Sequence, residues 1–372
     1  MRILTVFGTR PEAIKMAPLV LELQKQADIE SILCVTAQHR EMLDQVLELF
    51  SLTPDYDLDI MQPNQTISQI TTNVILGMEK VLSEAKPDIV LVHGDTTTTF
   101  ASALAAFYQK IAIGHVEAGL RTFDKYSPYP EEINRVLTGH LADIHFAPTK
   151  RNKENLLAEG VPEDRIHITG NTVIDALLTV AEKPYTFTDE SLKQIDFEAR
   201  RVITVTCHRR ENLGENMKQI FSAIKRIALE FDDVEIVYPV HMNPKVRTIA
   251  DEVLRNTERI HLIEPLQYQP FVNLMARSYM IITDSGGMQE EAPALGKPVL
   301  VVRRETERPE AVEAGTVKLV GVEEGTIYST AKMLLEDKEE YEKMAKAVNP
   351  YGDGKACSRI VKILLDKRWT SQ

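Results

Sequence analysis

Three carboxylates in the first half of the chain stand at successive openings of what would be one parallel sheet. Asp95 follows Asp88 to Val92 within His93-Gly94-Asp95-Thr96-Thr97, Glu117 follows Ile111 to Val116, and Glu131 opens a helical segment after Tyr129-Pro130. Carboxylates gathered at successive openings of one sheet push each other's pKa values apart, which lets one site keep both an acid and a base. Arg10 and Lys15, in and just beyond Gly8-Thr9-Arg10-Pro11-Glu12, add cations near a helix N-terminus, a place suited to anionic or oxygen-rich ligands. Each residue also has a plainer fate. Asp95 or Thr96 can cap a helix, Glu131 and Glu132 can complement a helix dipole, and Lys15 can be a solvated lysine.

The second half carries a different chemistry. After the apolar run Met280 to Thr283 comes Asp284-Ser285-Gly286-Gly287, a strand end that breaks into glycines and enters a helix. Free amides at a helix start, reached closely because glycine has no Cβ, suit a phosphate. Arg304, Arg308 and the glutamates among them add groups suited to phosphate and to sugar hydroxyls. His208-Arg209-Arg210 ends another strand, and if the sheet is parallel it faces the same way as Ser285 and Gly286. His208 can hold a phosphate or donate a proton, whereas for His241, at the end of Val234 to Val240, packing is an equal alternative. A solvated charge run after an ordinary glycine turn remains the competing reading of the stretch.

The elements needed to position these residues are legible as alternation. Strand-like runs at Arg2–Gly8, 31–36, 88–94, 111–117, 144–148 and 166–170 are separated by amphipathic segments such as 97–109 and 131–141. The regularity lapses over 182–199, a polar stretch with no clear strand, and restarts with runs at 202–207, 234–240, 260–264, 280–283, 299–303 and 317–320. Alternation of this kind implies parallel sheets, so the expectation is α/β: two doubly wound, Rossmann-like domains facing a cleft lined by strand carboxyl ends. The expected domains are residues 1–180, carrying the carboxylates, and 181–355, binding the phosphate-bearing ligand. A terminal helix over 356–372 would pack back on the first.

At 372 residues the chain exceeds one typical core, in keeping with two domains. Its 43 basic and 55 acidic side chains give a net charge of −12, which argues against nucleic acid or an anionic membrane as partner. Cys34, Cys207 and Cys357 are far apart with no metal-ligand spacing, and they predict buried thiols in a reducing, cytoplasmic compartment with no metal site. A Walker loop, a GxGxxG after the first strand, an HExxH and a nucleophile elbow are all missing from the sequence, so neither ATP nor a redox cofactor is expected.

Taken as a set, GTRPEAIKMAPL, TAQHREMLDQV, VHGDTTTT, HVEAGLRT, PYPEEINR, HRREN and TDSGGMQEEAPALGKPVLVVRRETERPEAVEAGT resemble the non-hydrolysing UDP-N-acetylglucosamine 2-epimerases, from the first strand to about Gly321. The resemblance implies a glycosyltransferase-B-like fold and reversible interconversion of UDP-N-acetylglucosamine and UDP-N-acetylmannosamine without a cofactor, in a homodimer serving cell-surface polysaccharide synthesis. It places Lys15, Asp95, Glu117, Glu131 and His208 at catalytic positions. Ser285, Gly286 and Gly287 would take the diphosphate and Glu291 the ribose. Arg10, His208 and Arg308 would lie at or near the phosphates, and Phe271 with the backbone of Leu266 would meet the uracil. Gln38, His39, Gln65, Arg209 and His241 resemble a regulatory site for a second UDP-N-acetylglucosamine. The implied mechanism eliminates UDP to leave 2-acetamidoglucal and re-adds it after reprotonation on the other face of C2. A weakly acidic C2 proton needs a positioned base on each face, and a departing diphosphate needs cationic and amide stabilisation. Three rivals stand beside it: a glycosyltransferase of the same fold, a hydrolysing epimerase that releases free sugar, and a non-catalytic nucleotide-sugar sensor.

Overall fold

The computed structural model describes residues 1–37 and 40–366. They form two compact units, one of residues 1–176 with the C-terminal segment from 351, the other of residues 177–350.

The first unit begins with β1 (Arg2–Phe7), α1 (Arg10–Gln24), β2 (Glu30–Val35), α2 (Arg40–Phe50), β3 (Tyr56–Asp57) and α3 (Ile67–Ala85). It continues with β4 (Ile89–His93), α4 (Thr97–Tyr108), β5 (Ala112–Val116), α5 (Glu131–Leu141), β6 (Ile144–Ala147), α6 (Lys150–Ala158) and β7 (Ile166–Ile168). Its seven strands lie parallel in the order β3-β2-β1-β4-β5-β6-β7. β1, β4 and β5 are Ile-, Leu- and Val-rich and almost wholly buried, as a sheet covered by helices on both faces requires. Strand order reverses between β1 and β4. The segments leaving their carboxyl ends, the start of α1 with Arg10 and Lys15 and the loop with Gly94 and Asp95, therefore flank the crevice where ligands bind in sheets of this kind.

Helix α7 (Thr172–Ala181) leads into the second unit, which continues with α8 (Glu190–Lys193), β8 (Arg201–Thr206), α9 (Glu215–Glu230), β9 (Val234–Pro239), α10 (Pro244–Leu254), β10 (Ile260–Ile263) and α11 (Tyr268–Arg277). It ends with β11 (Met280–Thr283), α12 (Gly286–Glu291), β12 (Val299–Val301), α13 (Pro309–Glu313), β13 (Val317–Leu319), α14 (Glu324–Glu336) and α15 (Lys338–Ala345). Six parallel strands run in the order β10-β9-β8-β11-β12-β13, and the reversal falls between β8 and β11. His208 with Arg209 and Asp284 with Ser285 leave those two strands. Each unit is doubly wound and Rossmann-like, the fold class expected from the alternation.

The polar stretch over 182–199 is ordered more firmly than its composition suggests. Tyr185, Phe187, Leu192, Ile195 and Phe197 pack with Val202, Val237, Ile263 and Leu274, so a few apolar side chains anchor the segment to the second sheet. After the second unit, α16 (Ala356–Leu365) returns to pack on α1. Its first amides, from Ala356 and Cys357, donate to the Asp175 carboxylate.

Candidate active site

In the first unit the carboxylates occupy contrasting environments. Glu117 ends β5 in the left-handed region, with φ of 59°, a conformation that an ordinary residue holds only when its surroundings fix it. Lys15 Nζ lies 2.5 Å from Glu117 Oε2, and His93 Nε2 lies 3.2 Å from the same oxygen, without the alignment of a hydrogen bond. Burial disfavours the charge on Glu117, yet Lys15 and His93 together outweigh it and hold the carboxyl well below its usual range. Lys15 is thus an ion-pair partner inside the site and not a solvated helix residue. Asp95 behaves oppositely. Burial pushes its pKa up and the nearby Glu117 adds to this, against the pull of Arg135 and Lys15.

Asp95 does not cap α4; Thr96 does, accepting from the amide of Thr99. The Asp95 carboxylate instead pairs with Arg135, and its backbone carbonyl accepts from Asn134 Nδ2 at 3.0 Å. Both partners come from α5. The two acids that open α5 separate into different roles. Glu132 is buried and binds the amides of Thr122 and Phe123, whereas half-buried Glu131 makes no side-chain hydrogen bond among the described residues. Arg10 stands half-buried at the start of α1.

Several site-building residues had no clear signal in the sequence. Glu12 is buried, taking the Gly8 and Thr9 amides and the Thr9 hydroxyl on one oxygen and the Thr96 and Thr99 hydroxyls on the other. It ties the start of α1, on which Lys15 lies, to the loop after β4, which bears Asp95. Arg135 looked like one charge among several in Glu131-Glu132-Ile133-Asn134-Arg135, although its spacing of three from Glu132 was a usable hint. Beneath the carboxylates, His115 is fully buried and binds the Gly94 carbonyl through Nε2 at 2.7 Å. Its neighbour across the ladder is His145, also buried.

In the second unit the organising group is Asp284, which is fully buried. Its carboxylate accepts the backbone amides of His208 and Arg209 and the side-chain amide of Asn212, so the loop after β8 is tied to the loop after β11. Ser285 occupies the N-cap of α12 without a capping side-chain bond. Gly286 and Gly287 form the first turn, whose amides lack intrahelical partners. With six residues, α12 has little macrodipole, so these amides and the absence of a Cβ matter more than the helix field. A Cβ on Gly287 would come 3.2 Å from Glu291 Oε1, which places the Glu291 carboxylate over the same turn. Arg308 pairs with Glu290, one residue before Glu291.

His208 stacks on His241 with centroids 5.1 Å apart. Burial lowers the His208 pKa, with His241 and Arg209 adding to the effect and Asp284 opposing it. His208-Arg209-Arg210 therefore presents two arginines and a neutral imidazole at neutral pH. Arg209 lies 3.7 Å from Glu307, and Phe271 and Leu266 are half-buried at and before the start of α11. Gln65 donates to the Ile60 carbonyl at 2.5 Å; Gln38 and His39 fall outside the described residues.

A cavity of about 340 Å³ opens elsewhere in this unit, between α10 and β10, where Arg247 pairs with Glu264 and Arg255 with Asp251. It contains none of the candidate residues. Among the described residues no cluster of three or more His, Cys, Asp or Glu side chains is arranged to hold a metal, and no helix is long and apolar enough to cross a membrane.

The chain is similar to known proteins over nearly its whole length. A UDP-N-acetylglucosamine 2-epimerase of Bacillus subtilis is 58% identical over 365 residues, covering 98% of this chain and 95% of its own. The crystal structure of the Neisseria meningitidis UDP-GlcNAc 2-epimerase bound to UDP-GlcNAc superposes with a TM-score of 0.85 at 56% identity, covering 98% of this chain and all of the other. That of the Methanocaldococcus jannaschii enzyme, in complex with UDP-GlcNAc and UDP, gives 0.74 at 37% identity with the same coverage. The family model for UDP-N-acetylglucosamine 2-epimerase matches residues 21–365, and the chain belongs to that family.

Proposed function

We propose that the protein interconverts UDP-N-acetylglucosamine and UDP-N-acetylmannosamine by elimination and re-addition of UDP, without net hydrolysis. A base removes the C2 proton, and the C1–O bond to UDP breaks with its electron pair leaving on the diphosphate. The remaining 2-acetamidoglucal takes a proton on the opposite face of C2, and the same diphosphate oxygen re-forms the bond to C1. The observation that carries this reading is the contrast between Asp95, whose pKa is raised, and Glu117, which Lys15 and His93 hold ionised. A raised carboxyl can give and take a proton, whereas a carboxylate pinned by a lysine and a histidine on one oxygen is a poor base. Asp95 and half-buried Glu131 are therefore assigned to the two faces of C2, with Glu117 as their electrostatic partner.

Ser285, the Gly286 and Gly287 amides, His208, Arg10 and Arg308 take the diphosphate or its surroundings, Glu291 the ribose, and Phe271 with the Leu266 backbone the uracil. As His208 meets the diphosphate its pKa rises, which adds a positive charge when the leaving group departs. The decisive experiment follows the sugar by NMR in deuterated water. Deuterium at C2 of both epimers is expected, and its absence would sink the proton-abstraction mechanism. Accumulation of free N-acetylmannosamine would select the hydrolysing alternative, and transfer to an added sugar acceptor would select a glycosyltransferase.

Two further assignments rest on the same reading. A second UDP-N-acetylglucosamine would bind Gln65, Arg209 and His241 with Gln38 and His39 and activate the enzyme, so that reaction from UDP-N-acetylmannosamine alone should show a lag that added UDP-N-acetylglucosamine abolishes. A cytoplasmic homodimer would cover Leu76, Phe107, Tyr108, Ile133 and Leu137, exposed apolar side chains on the successive helices α3, α4 and α5. Sedimentation at monomer mass would overturn it.

A further inference from the structure

Glu132 sits beside Glu131 at the start of α5, yet almost none of it is open to solvent. Its Oε1 accepts the amides of Thr122 at 3.1 Å and Phe123 at 2.9 Å, and its Oε2 the Thr122 amide at 3.1 Å. Oε2 also lies 3.2 Å from Arg135 Nη1, one turn along the helix. The other terminal nitrogen of Arg135 pairs with Asp95. One buried carboxylate thus connects three things: the loop over 122–130, the Arg135 guanidinium and, through it, Asp95.

Geometry makes this connection directional. Arg135 is buried and its Nε has no partner among the described residues, so the orientation of the guanidinium is set by Glu132 on one side and Asp95 on the other. The loop is folded on itself by the Thr122 hydroxyl, which donates to the Ser127 carbonyl at 2.5 Å. It carries three aromatic side chains largely in solvent, Phe123 at 75%, Tyr126 at 68% and Tyr129 at 63% exposure. Phe123 has φ of 64°, a strained backbone held by its amide bond to Glu132. Ordinary dipole complementation at a helix N-terminus explains none of these contacts, since a first-turn acid serving only that purpose points into water.

We propose that Glu132 is a positioning residue of the epimerisation: it fixes Arg135, and through it Asp95, and holds the 122–130 loop in register with both. The proposal rests on the assignment of Asp95 as a proton-transferring group. Three charged groups act on Asp95: Arg135 from α5, Glu117 from the end of β5 and Lys15 from α1; His93 from β4 faces Glu117. Neutralising Glu132 removes a negative charge that competes for Arg135, so Arg135 is left to stabilise the Asp95 carboxylate alone, and Asp95 titrates at lower pH than in the wild type.

The test compares wild type, Glu132→Gln and Glu132→Asp. Glu132→Gln should lower kcat by roughly 10- to 100-fold with KM changed far less, because it disturbs placement of a reacting group and not ligand contacts. The acid limb of its pH–rate profile should move to lower pH, and Glu132→Asp, which keeps the charge, should return the limb toward wild type. Titration of the Asp95 carboxyl by carbon-13 NMR in the ligand-free enzyme, assigned with Asp95→Asn, provides a readout that does not depend on the reaction. There Glu132→Gln should shift Asp95 downward. An unchanged Asp95 titration, or loss of stability in Glu132→Gln with its kcat and pH limb kept, would overturn the proposal. Failure of wild type to place deuterium at C2 would instead overturn the reaction assigned above, leaving the NMR titration to judge Glu132 by itself.

Discussion

Acidifying the protein should strike first at the histidine pair beneath the carboxylates. Burial pushes His115 from 6.5 down to about 3 and His145 down to about 4. The Gly94 carbonyl can only accept, so His115 Nε2 carries the proton and its Nδ1 is a buried lone pair; neither it nor the buried Nδ1 of His145 has a partner among the described residues. A second proton would place an unpaired charge inside the sheet. Both folded pKa values lie below the unfolded one, so between them the unfolded chain takes up protons that the folded chain refuses. Stability is complete above the unfolded value and falls by about 1.4 kcal/mol per pH unit for each histidine as pH drops below it. From about pH 7.5 to about pH 5 each histidine removes about 2 kcal/mol and the pair about 4, a large part of the ~5–15 kcal/mol that holds a typical domain together. Asp95 and Asp175, raised by burial, act in the opposite sense, but only where carboxyl groups begin to titrate. Urea unfolding followed by circular dichroism at the two pH values measures the loss. His115→Gln keeps an N–H for Gly94 and cannot be protonated, and whatever it costs in packing is the same at both pH values and cancels in their difference. The variant should recover about 2 kcal/mol of the pH-dependent loss. If the two units unfold separately, the change belongs to the transition of the first. Equal losses in wild type and variant would refute the reasoning.

Three other expectations are simpler. Asp95→Asn and Glu131→Gln should each lower kcat by about 10²- to 10⁴-fold, the usual worth of a positioned acid or base, with UDP affinity by calorimetry nearly unchanged; a comparable loss of affinity would count against their roles. His208→Ala and Arg308→Ala should weaken UDP binding by roughly 10- to 100-fold, as expected for bonds to a charged group. Because Arg308 also pairs with Glu290, its melting temperature is read alongside. Gly119→Ala should destabilise the first unit by about 1–3 kcal/mol or more, since Gly119 has φ of 92° and an added Cβ would lie 2.3 Å from the Asn152 carbonyl oxygen. An unchanged melting temperature would show that the loop yields freely.

What the sequence made legible follows from what each residue owes to its neighbours in the chain. The strand ends carrying Asp95, Glu117 and Ser285 were visible because a buried parallel strand is a run of apolar residues whose end is marked by the first polar ones. The helix starting at Glu131 was visible through its periodicity. The two-residue strand β3 was not, since Tyr56 and Asp57 have too little length for any pattern. Pairings across the fold were also hidden. Lys15 and Glu117 are 102 positions apart, and no local rule foretells that a lysine in the first helix neutralises a carboxylate at the end of the fifth strand. Asp284 looked like the edge of a glycine turn, yet it is the acceptor that joins two loops, because its partners lie more than 70 positions earlier.

The same distinction explains how one sheet provides carboxylates of different character. Asp95 and Glu117 leave adjacent strands, and their sequence contexts, each within two residues of a glycine, are alike. Their difference comes from the second layer. Glu117 has Lys15 and His93 on a single oxygen, and together they more than offset the energy lost to burial. Asp95 has one arginine, and that arginine is shared with Glu132, so burial prevails. Moving a proton on and off carbon at neutral pH needs a carboxyl of the second kind, while a sugar losing an anionic leaving group needs its neighbouring charges held fixed, as the first kind is. The contrast between the two carboxyl groups is thus set by the partners each one meets, Lys15 from α1 and His93 from β4 on Glu117, and on Asp95 an Arg135 from α5 that Glu132 shares.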